Sequence, residues 1–594
     1  MVLHFPYMDR RMPTIAQRIK DAFPSHRLTS VDGVCAAAFL GACFALFMHP
    51  DIGWTGAHAL NFIFGSPLSF YDNCKKDTLG SPCPYAPTTY LLFALWLYPL
   101  KLFGVITSAR DFPLYLSYWL KALLVFIYAV SGVIFYKIAL EYSQNRQWSK
   151  AAAAIWLTTP LALFSVFLFS QYDILNVALM LLGILMFLRL RLTAAAIYFG
   201  LAITFKSFPA FVFAPLLLLH EKRITRLCLH ALTFLAPTTL IYVVYRNSPG
   251  FFEGVMNFDV PGRIYDATLE VSGSGLYYYQ YGYWHLYILL VLFTILCIVA
   301  YFSEVDSKSR PYVLAYYWLI GSILPFLFVL WHPQWLIFVV PAIAITSVLD
   351  RNTEKFFVLD LLGMFLFVAT TSLTFDGLEA VMFQGHALGL KINNSFLVSR
   401  LFLWFGDHSR NVFLSAFVAY LASQLILKRG MLFSRDASWR SITTPSYCNV
   451  RNRLYIGLLI FLIPVSFSVY KATTSRELLT ETFLDPPQGL LSSADFVGDF
   501  ASVGSAVNNV SLLLLPLRKL RADELSVEIT ETNGNVLFWS RKSVATTKEV
   551  SWLSYSFTPI PVSRNAHYKV RVISSEGVAG DAFAIAEYRI GLLE

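Results

Sequence analysis

The chain has 594 residues, of which 56% are hydrophobic and only 14% charged, with a mean hydropathy of +0.57. That composition excludes an ordinary soluble protein and implies a polytopic membrane protein. The net charge of +9 does not imply a nucleic-acid partner, because most Lys and Arg stand in short clusters between apolar runs, where they set orientation.

Residues 1–31 are polar and basic, with Arg10, Arg11, Arg18, Lys20 and Arg27. No small-residue cleavage pattern follows them, so they read as a cytoplasmic segment rather than a leader. The apolar run 33–48 is just long enough to cross most of a bilayer core at ~1.5 Å per residue. Its basic flank stays inside, so Asp51 emerges on the outer face. Further apolar runs cover 88–105, 113–139, 151–160, 174–188, 194–204, 210–219, 231–244, 286–302, 313–330, 335–348, 356–374, 412–427 and 455–469. Basic clusters follow alternate spans: Arg146 and Lys150, Arg189 and Arg191, Lys222 to Arg226, Lys308 and Arg310, Arg351 and Lys355, and Lys428 to Arg453. All of them are cytoplasmic together only if one of 88–105 and 113–139 fails to cross. The longer is taken as the span, which leaves 88–105 as an interfacial or re-entrant helix on the outer side. The expected result is about 13 crossings, with the C-terminus outside. If both runs cross instead, one basic cluster is misplaced.

Three short outer turns carry polar residues at membrane depth: Ser170-Gln171-Tyr172-Asp173, Phe205-Lys206-Ser207-Phe208-Pro209 and Trp331-His332-Pro333-Gln334-Trp335. Such residues cost a few kcal/mol near hydrocarbon unless they face water or a partner, which makes each a functional candidate. Each also has a plain alternative. Asp173 reads equally as a helix N-cap before Ile174, Lys206 as a snorkelling helix-end cation, and His332 as part of an interfacial turn. The outer loop 246–284 is long and aromatic, with Arg263 among its charges and Tyr277 to Tyr283 toward its end. Cys35, Cys43, Cys228 and Cys297 lie in or beside apolar runs and read as packing residues. Cys74 and Cys83 lie in a polar loop and either close a small disulfide, if that loop faces an oxidising compartment, or remain two thiols.

After 469 the pattern changes. Short alternating runs at Ser511 to Leu515, Leu525 to Thr530, Val536 to Trp539, Ser554 to Phe557 and Tyr568 to Val572, with Asn533-Gly534 as a hairpin turn, predict a β-sandwich of about 100 residues. The expected layout is a segment 1–31, a transmembrane domain 32–471 whose first outer loop is 49–112, and an outer-side domain 472–594 that is a β-sandwich from about 510.

Within this frame several motifs resemble the GT-C membrane glycosyltransferases over roughly residues 30–430. Asp51, Gly65-Ser66-Pro67-Leu68-Ser69-Phe70-Tyr71 and Tyr85-Ala86-Pro87 are similar to that family's first-loop pattern, although Ala86 stands where the pattern has proline. Gln171-Tyr172-Asp173, Lys206-Ser207-Phe208-Pro209 and His332-Pro333-Gln334-Trp335 resemble later turns of the same family, and bacterial mannosyltransferase-like members are the nearest subgroup. The resemblance implies a polyprenyl-phosphate-sugar donor taken from the bilayer and a glycan, lipid or protein acceptor of the cell envelope. The active site then lies on the periplasmic side of a bacterial inner membrane.

The resemblance also implies site roles. Asp51 is the general base, with Asp72 in reserve; Lys206, His332, Arg263 and Arg400 are candidates for the donor phosphate; Asp173, Gln171 and Tyr85 are candidates for acceptor or metal. A departing lipid phosphate is already an anion, so the chemistry asks for a base and for positive charge, not for a strong acid. Metal use varies in the family, and a divalent ion (Mg or Mn) is an open expectation. Two other readings fit a polytopic chain with polar intrusions: a flippase or transporter of lipid-linked sugars, and an envelope-polysaccharide polymerase or ligase.

Overall fold

The computed structural model describes residues 30–46, 48–77, 83–109, 112–256, 268–270, 285–329, 332–350, 353–374, 409–432, 451, 454–455 and 459, and the strands between 479 and 593. Helices come first: α1 Ser30–Leu46, α2 Pro50–Phe64, α3 Phe70–Asp77, α4 Pro87–Leu102, α5 Leu114–Ser143, α6 Arg146–Leu157, α7 Asp173–Leu188, α8 Leu192–Ile203, α9 Pro209–His220 and α10 Ile224–Tyr245. They continue with α11 Ile288–Phe302, α12 Arg310–Phe328, α13 Val340–Leu349, α14 Thr353–Thr374 and α15 Ser409–Lys428.

Among the described residues four helices are long and apolar enough to cross a membrane: Tyr115–Ser143, Ile224–Tyr245, Arg310–Phe328 and Asn411–Leu432. The pair Arg146–Leu157 and Pro160–Leu168, bent by 53°, makes a fifth if it is one span. Six further apolar helices are shorter, including Val34–Ala45, Asp173–Leu188, Leu192–Ile203 and Pro209–His220. The apolar runs of the sequence thus become helices, but many stop short of a full ~30 Å crossing. The polar turns cut them: Ser170 to Tyr172 ends one side of α7, and Thr204 to Phe208 separates α8 from α9. The run 455–469 lies almost wholly outside the described residues.

Cations reach across from neighbouring helices to the C-terminal ends of α1, which precedes Asp51, and of α2, which holds it. Neither α1 nor α2 has a basic residue in its last turn. Lys121 of α5, fully buried, donates to the carbonyls of Cys43 and Phe44 at 3.2 and 2.9 Å. Lys101 of α4 donates to the Ile63 carbonyl at 2.8 Å. Each supplies positive charge where a helix leaves carbonyls unmet.

Helix α4 is bound to α5 by a reciprocal pair: the Trp96 indole donates to the Trp119 carbonyl at 2.8 Å, and Trp119 donates back to Trp96 at 2.9 Å. One face of α4 packs inward through Tyr90, Phe93 and Leu97, while Leu91, Leu95, Tyr98 and Leu102 stand exposed as an apolar stripe. It is not among the helices that meet the length and hydropathy of a crossing.

The C-terminal part is antiparallel β-structure. Strands β1 Thr268–Glu270 and β2 His285–Tyr287 pair within the earlier region. Strands β3 Leu479–Thr480, β4 Asp495–Ala501, β5 Ala506–Leu515, β6 Asp523–Glu531, β7 Val536–Val544, β8 Ser551–Pro561, β9 His567–Ser574 and β10 Ala584–Leu593 follow. They form two four-stranded sheets, ordered β3-β10-β5-β8 and β4-β9-β6-β7. All five runs read from the sequence fall in strands, and β6 pairs with β7 as the hairpin signal requires; Asn533-Gly534 itself lies outside the described residues. Strands β3, β4 and β10 escaped the sequence reading.

Candidate active site

Prolines at helix starts carry the candidate residues. His49, Ala86 and His332 each precede a proline and are extended, with φ/ψ of −88°/141°, −62°/154° and −88°/144°. The proline ring disfavours the helical region for the residue before it and is well placed as the first helical residue itself. Polar residues therefore collect at the mouths of helices α2 and α4 and of the 3-10 helix Pro333–Phe338.

Asp51 lies in the first turn of α2, where an acid is favoured by the helix dipole. Its backbone N–H donates to His49 Nδ1 at 3.2 Å, and the His49 ring stacks on Phe169 with centroids 4.0 Å apart. The carboxylate accepts a hydrogen bond from Gln171 Nε2 at 3.2 Å.

Gln171 is delivered by an irregular turn. The π-helix Phe164–Leu168 ends at Phe169, and Ser170 takes a left-handed φ of +62°. That conformation is uncommon for a residue other than glycine and costs about 1–3 kcal/mol. It points the chain so that Gln171 N–H donates to the Ser165 carbonyl at 2.9 Å and Gln171 Oε1 accepts from Tyr172 N–H at 3.1 Å.

Asp173 is not the N-cap of α7; Tyr172 holds that position, without a side-chain cap bond. The Asp173 carboxylate, 1% exposed, instead meets Lys206 Nζ at 2.7 and 2.8 Å through its two oxygens. Lys206 is therefore not snorkelling. Its ammonium also lies over the Trp335 ring at 4.8 Å and the Tyr172 ring at 5.9 Å. Its carbonyl accepts from Asn176 Nδ2 at 3.1 Å, one turn along α7 from Asp173. His332 tilts over Trp335 with ring centroids 4.6 Å apart.

Burial pushes the Asp51 carboxyl above its ordinary value. Lys206, the Gln171 hydrogen bond and His332 pull it down, and Asp173 pushes it further up. Asp51, Gln171, Asp173, Lys206 and His332 thus act on one another although they come from four separate stretches of chain. Tyr85 joins them through its ring, edge-on to Tyr172 at 5.2 Å. Its carbonyl accepts from the Tyr71 hydroxyl at 2.8 Å, and its N–H donates to the Tyr90 hydroxyl at 3.3 Å. Thr88 ties the same corner to the Lys206 turn by donating to the Thr204 carbonyl at 3.3 Å.

Asp72 stands in a different setting. One of its oxygens accepts from Ser248 Oγ at 2.8 Å and from Gly250 N–H at 3.0 Å, fastening α3 to the short helix Pro249–Phe251. Gly250 and Gly254 permit that contact, since a Cβ on either would run into the backbone of Tyr71 or Cys83. Cys74 and Cys83 form the disulfide, with Cα atoms 6.0 Å apart. Arg263 and Arg400 lie outside the described residues, as do Trp331 and the loop tyrosines.

Three members of the cluster were not picked out from the sequence as site residues: His49, Asn176 and Trp335. A histidine before proline and acid, and an amide three residues after Asp173, were the available signals.

A family model, Glycosyltransferase family 87, matches residues 85–312. That stretch contains Tyr85, Gln171, Asp173 and Lys206, while Asp51 and His332 fall outside it. No curated protein matches the chain. Among solved structures, the chain is similar to ArnT from Cupriavidus metallidurans bound to undecaprenyl phosphate, at 17% identity and a TM-score of 0.38 over 74% of this chain and 77% of that one. It is also similar to the arabinosyltransferase EmbB from Mycobacterium smegmatis, at 10% identity and a TM-score of 0.33 over 95% of this chain and 64% of that one. The chain thus combines apolar helices of membrane-crossing length with a glycosyltransferase-family match over the stretch that holds Tyr85, Gln171, Asp173 and Lys206.

Proposed function

We propose that the protein transfers a sugar from a polyprenyl-phosphate-linked donor to an envelope glycan, lipid or protein acceptor, with inversion. The reaction takes place on the outer face of a bacterial inner membrane, which the chain crosses about 13 times by its pattern of basic clusters. The observation that carries the reading is the half-buried carboxylate of Asp51 joined through Gln171 to the turn that holds the Asp173–Lys206 pair. In this reading the acceptor hydroxyl gives its proton to Asp51 as its oxygen bonds to the anomeric carbon. The bond from that carbon to the phosphate oxygen breaks, and the lipid phosphate leaves with the electron pair. Lys206 and His332 meet the phosphate charge, Lys206 turning from Asp173 or bridging to it.

A groove of about 430 Å³ supports a lipid donor. Its walls are almost wholly apolar: Ile63 and Leu68, Leu91 and Leu95 of α4, and Leu240 and Val244 of α10. Thr88, which also lines it, is bonded to the turn before Lys206. A lipid tail in the groove would place its phosphate end toward that turn.

The cluster does not suit a divalent ion as it stands. Mg and Mn favour about six oxygen ligands, whereas both Asp173 oxygens face Lys206 and Asp51 accepts from Gln171. No step of this reading runs through a metal. The two C-terminal sheets are proposed to stack as a β-sandwich on the outer side.

The test is transfer from a labelled polyprenyl-phosphate mannose to an envelope extract by purified protein in liposomes. Labelled product from the wild type and none from Asp51→Asn is the expected result. Label that crosses the bilayer without being transferred would replace this reading with a flippase. Equal product from Asp51→Asn would remove Asp51 as the base.

A further inference from the structure

The corner beneath the first loop holds more than a disulfide. On α2, His58 and Asn61 lie one turn apart and face Cys74 of α3 and Cys83, and all four side chains are at least nine-tenths buried. One ligand atom each from His58, Cys74 and Cys83 lies within 4.8 Å of the others. His58 Nδ1 has no hydrogen-bond partner, which is costly for a buried polar atom and calls for one. Asn61 Nδ2 lies 4.0 Å from Cys74 Sγ, and an amide turned over at that position would offer Oδ1 instead.

We propose that, once the disulfide is reduced, His58, Cys74 and Cys83 form a site for a single zinc-class ion, with Asn61 or water as the fourth ligand. The site is thereby masked in the oxidised chain and exposed by a dithiol reductant. The dithiol gives two electrons and two protons to the Cys74–Cys83 bond and leaves as its own cyclic disulfide. The metal then displaces the two thiol protons to solvent, and His58 donates a lone pair without losing a proton. Two thiolates and an imidazole are soft and borderline ligands of the kind that take zinc in tetrahedral geometry. The sulfurs must part to roughly 3.8 Å, the edge of a tetrahedron with ~2.3 Å Zn–S bonds, which side-chain rotation can supply.

A bound ion would keep the strap closed between α3 and the approach to Tyr85, the same connection that the disulfide makes in the oxidised chain. Tyr85 begins two residues after Cys83.

The experiment compares the oxidised full chain with the same chain reduced by a dithiol that is then removed anaerobically. Each is titrated with Co²⁺ and with Zn²⁺ against a chromophoric chelator. The expected result is one equivalent of Co²⁺ on the reduced chain, with thiolate charge-transfer and tetrahedral bands, and none on the oxidised chain. Cys74→Ser/Cys83→Ser should bind none after the same treatment, which removes the other four cysteines as the source. His58→Ala should weaken zinc by at least tenfold. Equal metal uptake by the reduced and oxidised wild type would overturn the proposal without any variant having to fold. So would unchanged zinc affinity in a folded His58→Ala.

Discussion

Asp51 and Asp72 lie near each other in sequence, and both stand in the first turn of a helix, yet their surroundings differ in kind. Asp72 is met by a hydroxyl and a backbone N–H from one short segment, Ser248 to Gly250. Asp51 is met by a side-chain amide from a remote turn, and the charges of Lys206, Asp173 and His332 act on it. A carboxylate that fastens main chain to main chain holds a shape. One surrounded by side chains from several elements, with its proton affinity raised by burial, is fitted to exchange a proton. The difference lies in the surroundings, not in the residue type.

The comparison breaks most sharply at the proton. Asp51→Asn should lower the transfer rate by about 10²–10⁴-fold, the usual worth of a positioned general base, with thermal unfolding in detergent little changed. Asp72→Asn should leave the chemical step near wild type. A loss of rate at Asp72 as large as at Asp51 would erase the distinction.

Next comes Lys206→Met. It leaves the buried Asp173 carboxylate without its cation, which typically costs ~3–5 kcal/mol. The double variant Lys206→Met/Asp173→Asn should recover most of that stability, read as the unfolding midpoint, but not the use of donor. Recovery of donor use as well would make the pair purely structural.

Asp72→Ala should cost about 1–3 kcal/mol, since Ser248 and Gly250 lose their acceptor. Its effect should appear in the unfolding midpoint rather than in the pH profile.

The smallest expected effect is on the acid limb of that profile. Transfer needs Asp51 ionised, so activity is full above its pKa and lost as pH falls through it. Because burial raises that pKa, the loss should begin above the range of an exposed carboxylate, ~4. Gln171→Leu removes a hydrogen bond that lowers it, so the limb should move to higher pH. A limb that stays in place in Gln171→Leu would mean that another group sets it.

The motif residues were legible in the sequence because polarity in an apolar run is costly and therefore conspicuous. Asp51, Asp173, Lys206 and His332 all stand out in that way. Their roles were not equally legible. Asp173 as a helix cap and Lys206 as a helix-end cation were sound local readings, and each was displaced by the partner the other supplies across the fold. The Cys74–Cys83 pair was open on spacing alone and is closed in the structure. The number of crossings was read from the alternation of basic clusters. The helices themselves include only four or five of full crossing length among the described residues, because the same polar turns that mark the site shorten the helices beside it.

The sequence by itself determined the solvent of this protein, the order of its apolar runs, the prolines that start its helices and the alternating strands of its tail. Those are local quantities, fixed by transfer free energy and backbone sterics within a few residues. Which carboxylate faces which cation, and which merely pins a loop, was decided only when turns far apart in the chain were brought within 3 Å of one another. Charge and hydrogen-bond energies depend on distance and burial, and neither is written in the spacing of residues along a chain.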